Sequence, residues 1–210
     1  MHISVTLPEE AGWIGSWSPG IGDPTFVGWF TTFLYFVTVL QIWRVMRRID
    51  RVSYEWTVWR LLLVCMLALG INKQLDLQTA FTEAGRILAH QQGWYDNRYE
   101  VQKMFIAALS GAAAAGCIAV ALVAYHMPGS TRLALCGFIV LTVFVLIRAA
   151  SFHHVDILLS QSTFGLTYNW ILEIGGILLV LLSGSLRLAG MSAAGKNSAA
   201  SDAHLPNGSR

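Results

Sequence analysis

Charged side chains are scarce in this chain of 210 residues: they make up 12% of it, whereas apolar residues make up 55%. Soluble domains usually carry about 25% charged residues. Half that proportion leaves too little polar surface to cover a globule in water, and it also excludes a disordered chain, a collagen and a coiled coil. The formal net charge of +2 provides no basic excess that would favour nucleic acid as a partner. The composition therefore predicts an integral membrane protein whose first partner is the lipid bilayer.

Cysteines and catalytic signatures are also sparse. Cys65, Cys117 and Cys136 each lie in an apolar run without CxxC spacing, which argues against a disulfide framework or a structural zinc site. The chain contains no HExxH, GxSxG, Walker A or GxGxxG motif. These absences leave open whether the protein is an enzyme.

Five apolar runs are long enough to cross a bilayer core, which needs about 20 residues per helix. They lie at 25–43, 56–71, 104–125, 133–152 and 168–188. The sequence therefore predicts an all-α membrane bundle with five transmembrane helices. The densest basic cluster, Arg44 to Arg51, follows the first span, and basic loops stay in the cytoplasm. The N-terminus is then expected outside and the C-terminus inside.

The segments around this bundle have distinct patterns. Residues 1–24 read as an extracytoplasmic interfacial segment with Trp13 and Trp17 as anchors. The 73–103 connection contains apolar residues at helical spacing, which predicts an amphipathic helix over about 75–92. This helix either lies on the outer membrane surface or continues the second span into the periplasm. Residues 189–210 lack periodicity and are expected to form a disordered cytoplasmic tail.

Two spans differ in the size of their side chains. Residues 110–116 form a mid-membrane band of Ser, Gly and Ala, and such small residues let helices approach closely. This band predicts that the third span is the central, most enclosed helix. The aromatic, uncharged first span is expected to be peripheral and lipid-facing.

Polar residues gather at the predicted outer ends of the second, fourth and fifth spans. Arg148 and Glu173 lie at comparable depths on consecutive helices, where an unpaired charge is costly and an opposite charge offsets much of the cost. We therefore expect them to pair, either as a structural clamp or with Arg148 orienting Glu173 as a ligand or proton-transfer group. Asn72, Lys73 and Arg148 are candidate substrate-binding residues.

A His-His-x-Asp string follows the fourth span. Imidazole and carboxylate ligands together suit Zn, Fe or Cu, so a transition metal is the candidate cofactor. His153, His154 and Glu173 are also candidates for catalysis. The candidate metal ligands are His153, His154, Asp156, Glu173 and Asp76.

The segments Asn72–Gln78 and Arg148–Asp156 resemble those of small bacterial polytopic membrane proteins whose activity is uncharacterised. The similarity covers the region from the second span to the fifth. It implies a multi-pass protein of the bacterial inner membrane, and it transfers no activity, cofactor or catalytic residue.

Three functions fit these observations. The first is a periplasm-facing polar site that binds a metal or acts on a lipid-derived substrate. The second is a non-catalytic assembly or accessory subunit whose charges are packing clamps and whose partner is another membrane protein or a second copy of the chain. The third, a transporter, is less favoured because an inverted repeat, which many transporters have, is not visible.

Overall fold

A computed structural model of the chain describes residues 12–93, 95–150, 162–163 and 166–203. These residues are mostly helical, apart from the segment 12–25 before the first helix and short connections between helices. They also contain one short antiparallel pair of strands, β1 (Ser162–Thr163) and β2 (Leu166–Thr167), and a 3-10 turn at Tyr95–Asn97. The α-helices are α1 (Phe26–Met46), α2 (Tyr54–Leu75), α3 (Leu77–Gln91), α4 (Arg98–Ala124), α5 (Gly129–Ala150) and α6 (Tyr168–Ala203).

Five of these helices, all except α3, are long and apolar enough to cross a membrane. The prediction of an all-α bundle with five candidate spans is confirmed at this level. The lipid bilayer is accordingly the surrounding medium that the helix surfaces fit, since many large apolar side chains are exposed on them.

Local polar contacts define where the helices begin and end. Thr25 caps α1 by accepting the Gly28 N–H at 3.0 Å, and Ser53 caps α2 by accepting the Trp56 N–H at 3.2 Å. Asp76 stands between α2 and α3 with φ of +46°, in the left-handed region that ends a helix. The amphipathic helix predicted over 75–92 is therefore present as α3, separated from α2 by a break.

Helix α1 packs with one face between α2 and α6. Its aromatic side chains Phe26, Trp29, Phe33 and Phe36 are exposed on the rest of its surface, as expected for a span that faces lipid. Thr31, Thr38 and Tyr35 on this helix are buried, and each threonine hydroxyl donates to a carbonyl four residues earlier, so that no polar group is left unpaired. Gly70 of α2 packs so closely on Tyr35 that an added Cβ would come within 2.9 Å of the tyrosine Cβ. Small and self-bonded polar residues thus allow one face of α1 to be buried against α2 and α6.

The prediction that the third span is the central helix is wrong. In its most apolar stretch, Lys103–Ala124, none of the residues whose burial is described is buried, whereas 39% of the most apolar stretch of α1 is buried. Gly111 and Gly116 have open space where a side chain would stand. Small residues permit close packing but do not compel it. The close glycine contact in this bundle is instead between Gly137 of α5 and Gly176 of α6.

The last helix is longer than the sequence indicated. Its helical structure continues to Ala203, past the end at 188 that hydropathy predicted and into the region expected to be disordered. Extension of an existing helix needs no new nucleus, and Ala, Met and Lys have high helix propensity. The chain beyond Ala203 lies outside the described residues.

Candidate functional site

A cavity of about 620 Å³ lies between α2, α4 and α5. Its walls are apolar along most of their length, and charged residues stand together at the end near the break between α2 and α3. This volume lies within the range of ligand pockets, about 300–1,000 Å³. The apolar part of the wall includes Cys65, Ala68, Leu69, Phe105, Leu109, Ala113, Phe138 and Val145, and the polar end includes Asp23, Asn72, Lys73, Asp76, Arg148 and Glu173.

Lys73 is the centre of the polar end. Its side chain is 8% exposed, and its Nζ lies 3.1 Å from Glu173 Oε2 and 3.3 Å from Asp23 Oδ2. A buried ammonium is costly to desolvate unless it is paired and hydrogen-bonded. The two carboxylates, which come from α6 and from the segment before α1, provide that compensation.

Glu173 is the deepest carboxylate of this group, with 5% of its side chain exposed. Its second oxygen, Oε1, accepts a hydrogen bond of 3.3 Å from the Tyr35 hydroxyl. Both carboxylate oxygens are therefore engaged, one by α1 and one by α2. Glu173 thereby joins α6 to both α1 and α2.

The chain before α1, residues 12–25, lies over α2 and α3 and is called the N-terminal strap below. The Gly22 N–H donates to the Gln74 carbonyl at 2.6 Å, and the Ser16 N–H donates to Glu83 Oε1 at 3.1 Å. Glu83 also accepts a hydrogen bond from Arg86. This bond and, to a smaller extent, the bond from Ser16 hold the pKa of Glu83 below its usual value. The strap thereby forms one wall of the cavity at Gly22 and Asp23.

Asp23 is held in its ionised form by its own segment. Burial opposes ionisation, but hydrogen bonds from Thr25 and the charge of Lys73 outweigh it and lower the pKa of Asp23. The Thr25 hydroxyl donates to Oδ1 at 2.6 Å, so Oδ2 is the oxygen that faces Lys73. The carboxylate is thus oriented as well as charged.

The remaining polar residues near the α2–α3 break form hydrogen bonds with the backbone or with neighbouring side chains. Asn72 Oδ1 accepts the Leu77 N–H at 3.2 Å, and Asp76 Oδ2 accepts the Thr79 hydroxyl at 2.6 Å. Gln74 donates to Thr32 at 3.1 Å, and its Oε1 is buried with no hydrogen-bond partner among the described residues. Asn72 and Asp76 therefore support the start of α3 while also lining the cavity.

The predicted pair between Arg148 and Glu173 is replaced by the pair between Lys73 and Glu173. Arg148 lies on the wall of the same cavity, so the ends of α2, α5 and α6 all contribute to it. Lys73 and Arg148 both stand at the polar end of the cavity, and the packing of the helices brings Lys73 into contact with Glu173. Lys73 projects from α2, which packs on α1 beside α6.

The predicted metal ligands divide into two sets. His153, His154 and Asp156 lie outside the described residues. Asp76 and Glu173 are described, and they are engaged by Thr79 and by Lys73 with Tyr35. Within the described ranges, three or more His, Cys, Asp or Glu side chains are nowhere grouped so that they could hold a metal ion. The candidate transition metal thus gains no support from these residues.

A second polar cluster lies at the opposite end of the bundle. The Glu55 carboxylate receives a two-pronged bond from Arg187, with Nε to Oε1 and Nη2 to Oε2 both 2.7 Å. The Thr131 hydroxyl and the Trp59 indole N–H donate to the same Oε1 at 2.6 and 3.2 Å. One carboxylate therefore joins α2, α5 and α6.

The sequence interpretation missed Asp23, Tyr35 and the Glu55–Arg187 pair. Asp23 stood in a loop, and Tyr35 in an aromatic run that suggested contact with lipid. One signal was available for the pair, because Glu55 and Arg187 are opposite charges near span ends on the same predicted side.

Comparison of the chain with protein-family models, with curated proteins and with solved structures finds no match in any of the three. The site is therefore interpreted from its own residues.

Proposed function

We propose that this multi-pass membrane protein binds an amphipathic, lipid-derived molecule in the cavity between α2, α4 and α5. The single observation that supports this is the composition of the wall, which is apolar along its length and charged at one end. An acyl chain would lie against Phe105, Leu109 and Phe138, and a polar head would reach Lys73. Binding of this kind suits a carrier, a sensor or an enzyme that acts on lipid.

A photoreactive hexadecanol that carries a diazirine group tests this proposal. We expect irradiation of the full chain in neutral detergent to label wall residues of α2, α4 and α5, located by peptide mass spectrometry. Ala113→Trp should reduce this labelling because Ala113 lines the cavity. Ala114→Trp should leave it unchanged, because Ala114 is exposed and does not line the cavity. Labelling spread evenly over the helix surfaces and insensitive to Ala113→Trp would contradict the proposal.

We infer an orientation with the N-terminus outside and the C-terminus in the cytoplasm, in the bacterial inner membrane. The basic cluster between α1 and α2 supports it. Arg187 bonds Glu55, and Arg48 Nη1 donates to Ser192 Oγ at 3.0 Å, so the later part of α6 lies on the side of that cluster. Reporter fusions at Asp50 and after Ala203 should both report cytoplasm, and a periplasmic signal from either would overturn the orientation.

The alternative function is that of an accessory subunit, and the exposed helix α4 is the observation that favours it. None of the side chains described along Lys103–Ala124 is buried, which leaves the small-residue band of this helix open to another membrane helix. Gly111→Leu together with Gly116→Leu should then change the assembly mass of the detergent-purified protein in native mass spectrometry. An unchanged mass with intact folding would remove this alternative.

A further inference from the structure

The two carboxylates that bind Lys73 differ in how easily each could be replaced. Glu173 is 5% exposed, and both of its oxygens are engaged, by Lys73 and by Tyr35. Asp23 is 27% exposed and belongs to the non-helical strap, where only Oδ2 faces Lys73. A molecule that enters the cavity therefore meets Asp23 as the exchangeable partner of Lys73.

The charges on the wall determine which headgroup can make this exchange. A cationic head that took the place of Lys73 at Glu173 would leave an ammonium that is 8% exposed without its deep partner, which is strongly unfavourable. An anionic head needs only to take the place of Asp23 Oδ2. It would leave the pair between Lys73 and Glu173 intact.

The same exchange keeps the charges around Lys73 constant. An incoming anion takes the place of the Asp23 carboxylate, so Lys73 keeps two negative partners, the headgroup and Glu173. Asp23 is the more exposed of its two present partners, so it is the carboxylate that water can solvate once it leaves Lys73.

We propose that the cavity selects amphiphiles with an anionic headgroup, a carboxylate or a phosphate, and that Asp23 is a built-in competitor which this headgroup displaces from Lys73. This inference rests on the proposed lipid-binding function and names the substrate class for it. The strap then reports occupancy, because the Asp23–Lys73 contact is one of the bonds that hold it over α2.

Three twelve-carbon ligands with different heads test the inference: dodecanoate, dodecyl phosphate and dodecanol. Their dissociation constants are measured by calorimetry on the full chain in a maltoside detergent at pH 7. We expect both anions to bind more tightly than the alcohol. Asp23→Asn, which removes the competing charge and keeps the side-chain shape, should tighten both anions by about tenfold and change dodecanol by less than about twofold.

Glu100→Gln is the matched control, since Glu100 forms an exposed pair with Lys103 and does not line the cavity. It should leave all three constants unchanged. A stronger preference for dodecanoate or for dodecyl phosphate would each support the inference and would separate a fatty-acid source from a phosphorylated lipid.

Two results would overturn the inference while the lipid-binding proposal stands: equal affinity for the alcohol and the anions, or weaker anion binding in Asp23→Asn. Failure of all three ligands to bind, together with hexadecanol labelling that ignores Ala113→Trp, would instead overturn the proposed function itself. The two failures are therefore distinguishable.

Discussion

Replacing Glu55 with glutamine should destabilise the folded bundle by about 2–3 kcal/mol. The substitution keeps the shape of the side chain but removes the charge that receives both prongs of Arg187 and the bonds of Thr131 and Trp59. A hydrogen bond to a charged group contributes about 1.5–3 kcal/mol, and breaking a buried pair from one side costs about 3–5 kcal/mol. The expected loss lies below the full cost of breaking a buried pair because Glu55 and Arg187 are 12% and 22% exposed, so water reaches the guanidinium that has lost its partner.

The assay is thermal unfolding in detergent at pH 7. For a chain of this size, about 2–3 kcal/mol corresponds to a fall in Tm of roughly 4–12 °C. Arg187→Gln should cause a similar fall. The double variant should lose less than the sum of the two, with a coupling of about 1–3 kcal/mol, because each single change removes the same bond.

Glu100→Gln provides the comparison. Glu100 forms an ion pair with Lys103 at 2.9 Å, but these side chains are 71% and 72% exposed. The expected loss of folding free energy is therefore below about 0.5 kcal/mol. If Glu55→Gln lowered Tm no more than Glu100→Gln, or if the two losses in the Glu55–Arg187 cycle were additive, the clamp would not be holding the bundle together.

Three further predictions concern the opposite end of the bundle and its packing, and all use the same melting assay. Lys73→Met should lower Tm more than the double change Lys73→Met with Glu173→Gln, because the single variant leaves a buried carboxylate unpaired; an equal or larger loss in the double variant would refute the pairing. Gly70→Ala should cost about 1–3 kcal/mol because its Cβ would crowd the first helix at 2.9 Å, whereas Gly116→Ala, with open space around it, should be neutral or slightly stabilising; similar effects at the two glycines would contradict the packing of α1. Since the native pKa of Asp23 is lowered, its stabilising contact is complete above its ordinary pKa of 3.8 and is lost as pH falls through the lower native value. The Tm difference between the wild type and Asp23→Asn should therefore be constant from pH 7 to about 5 and shrink below about 4. A difference that is lost already at pH 6 would rule this out.

The number and class of the spans could be predicted from the sequence because they depend on composition over about 20 residues. The order of burial among the helices could not. Burial of one face of α1 depends on threonines whose hydroxyls bond carbonyls of the same helix and on Gly70 opposite Tyr35, and these are pairwise properties that a hydropathy pattern does not contain.

The candidate site shows the same division. Depth along the helices, at about 1.5 Å per residue, predicted that Lys73, Arg148 and Glu173 lie near one another, and all three line the cavity. Which cation approaches Glu173 depends on the lateral arrangement of helices, and this is set by packing. Asp23 enters the site only because the strap folds back over α2, through a Gly22–Gln74 backbone bond that side-chain patterns do not encode.

The two ion pairs between α2 and α6 also determine the order in which the protein can be completed in the cell. Lys73 and Glu173 are 100 residues apart, and Glu55 and Arg187 are 132 apart. At about 5–20 residues per second of synthesis, α2 waits roughly 5–25 seconds for the charges that neutralise its own. During that interval Asp23, which is made before Lys73, is the partner already available to it, whereas Glu55 gains Thr131 with α5 and lacks Arg187 until α6 is made. A chain that stops before α6 therefore keeps an uncompensated charge at one end of α2, and α6 supplies a partner at both ends of that helix.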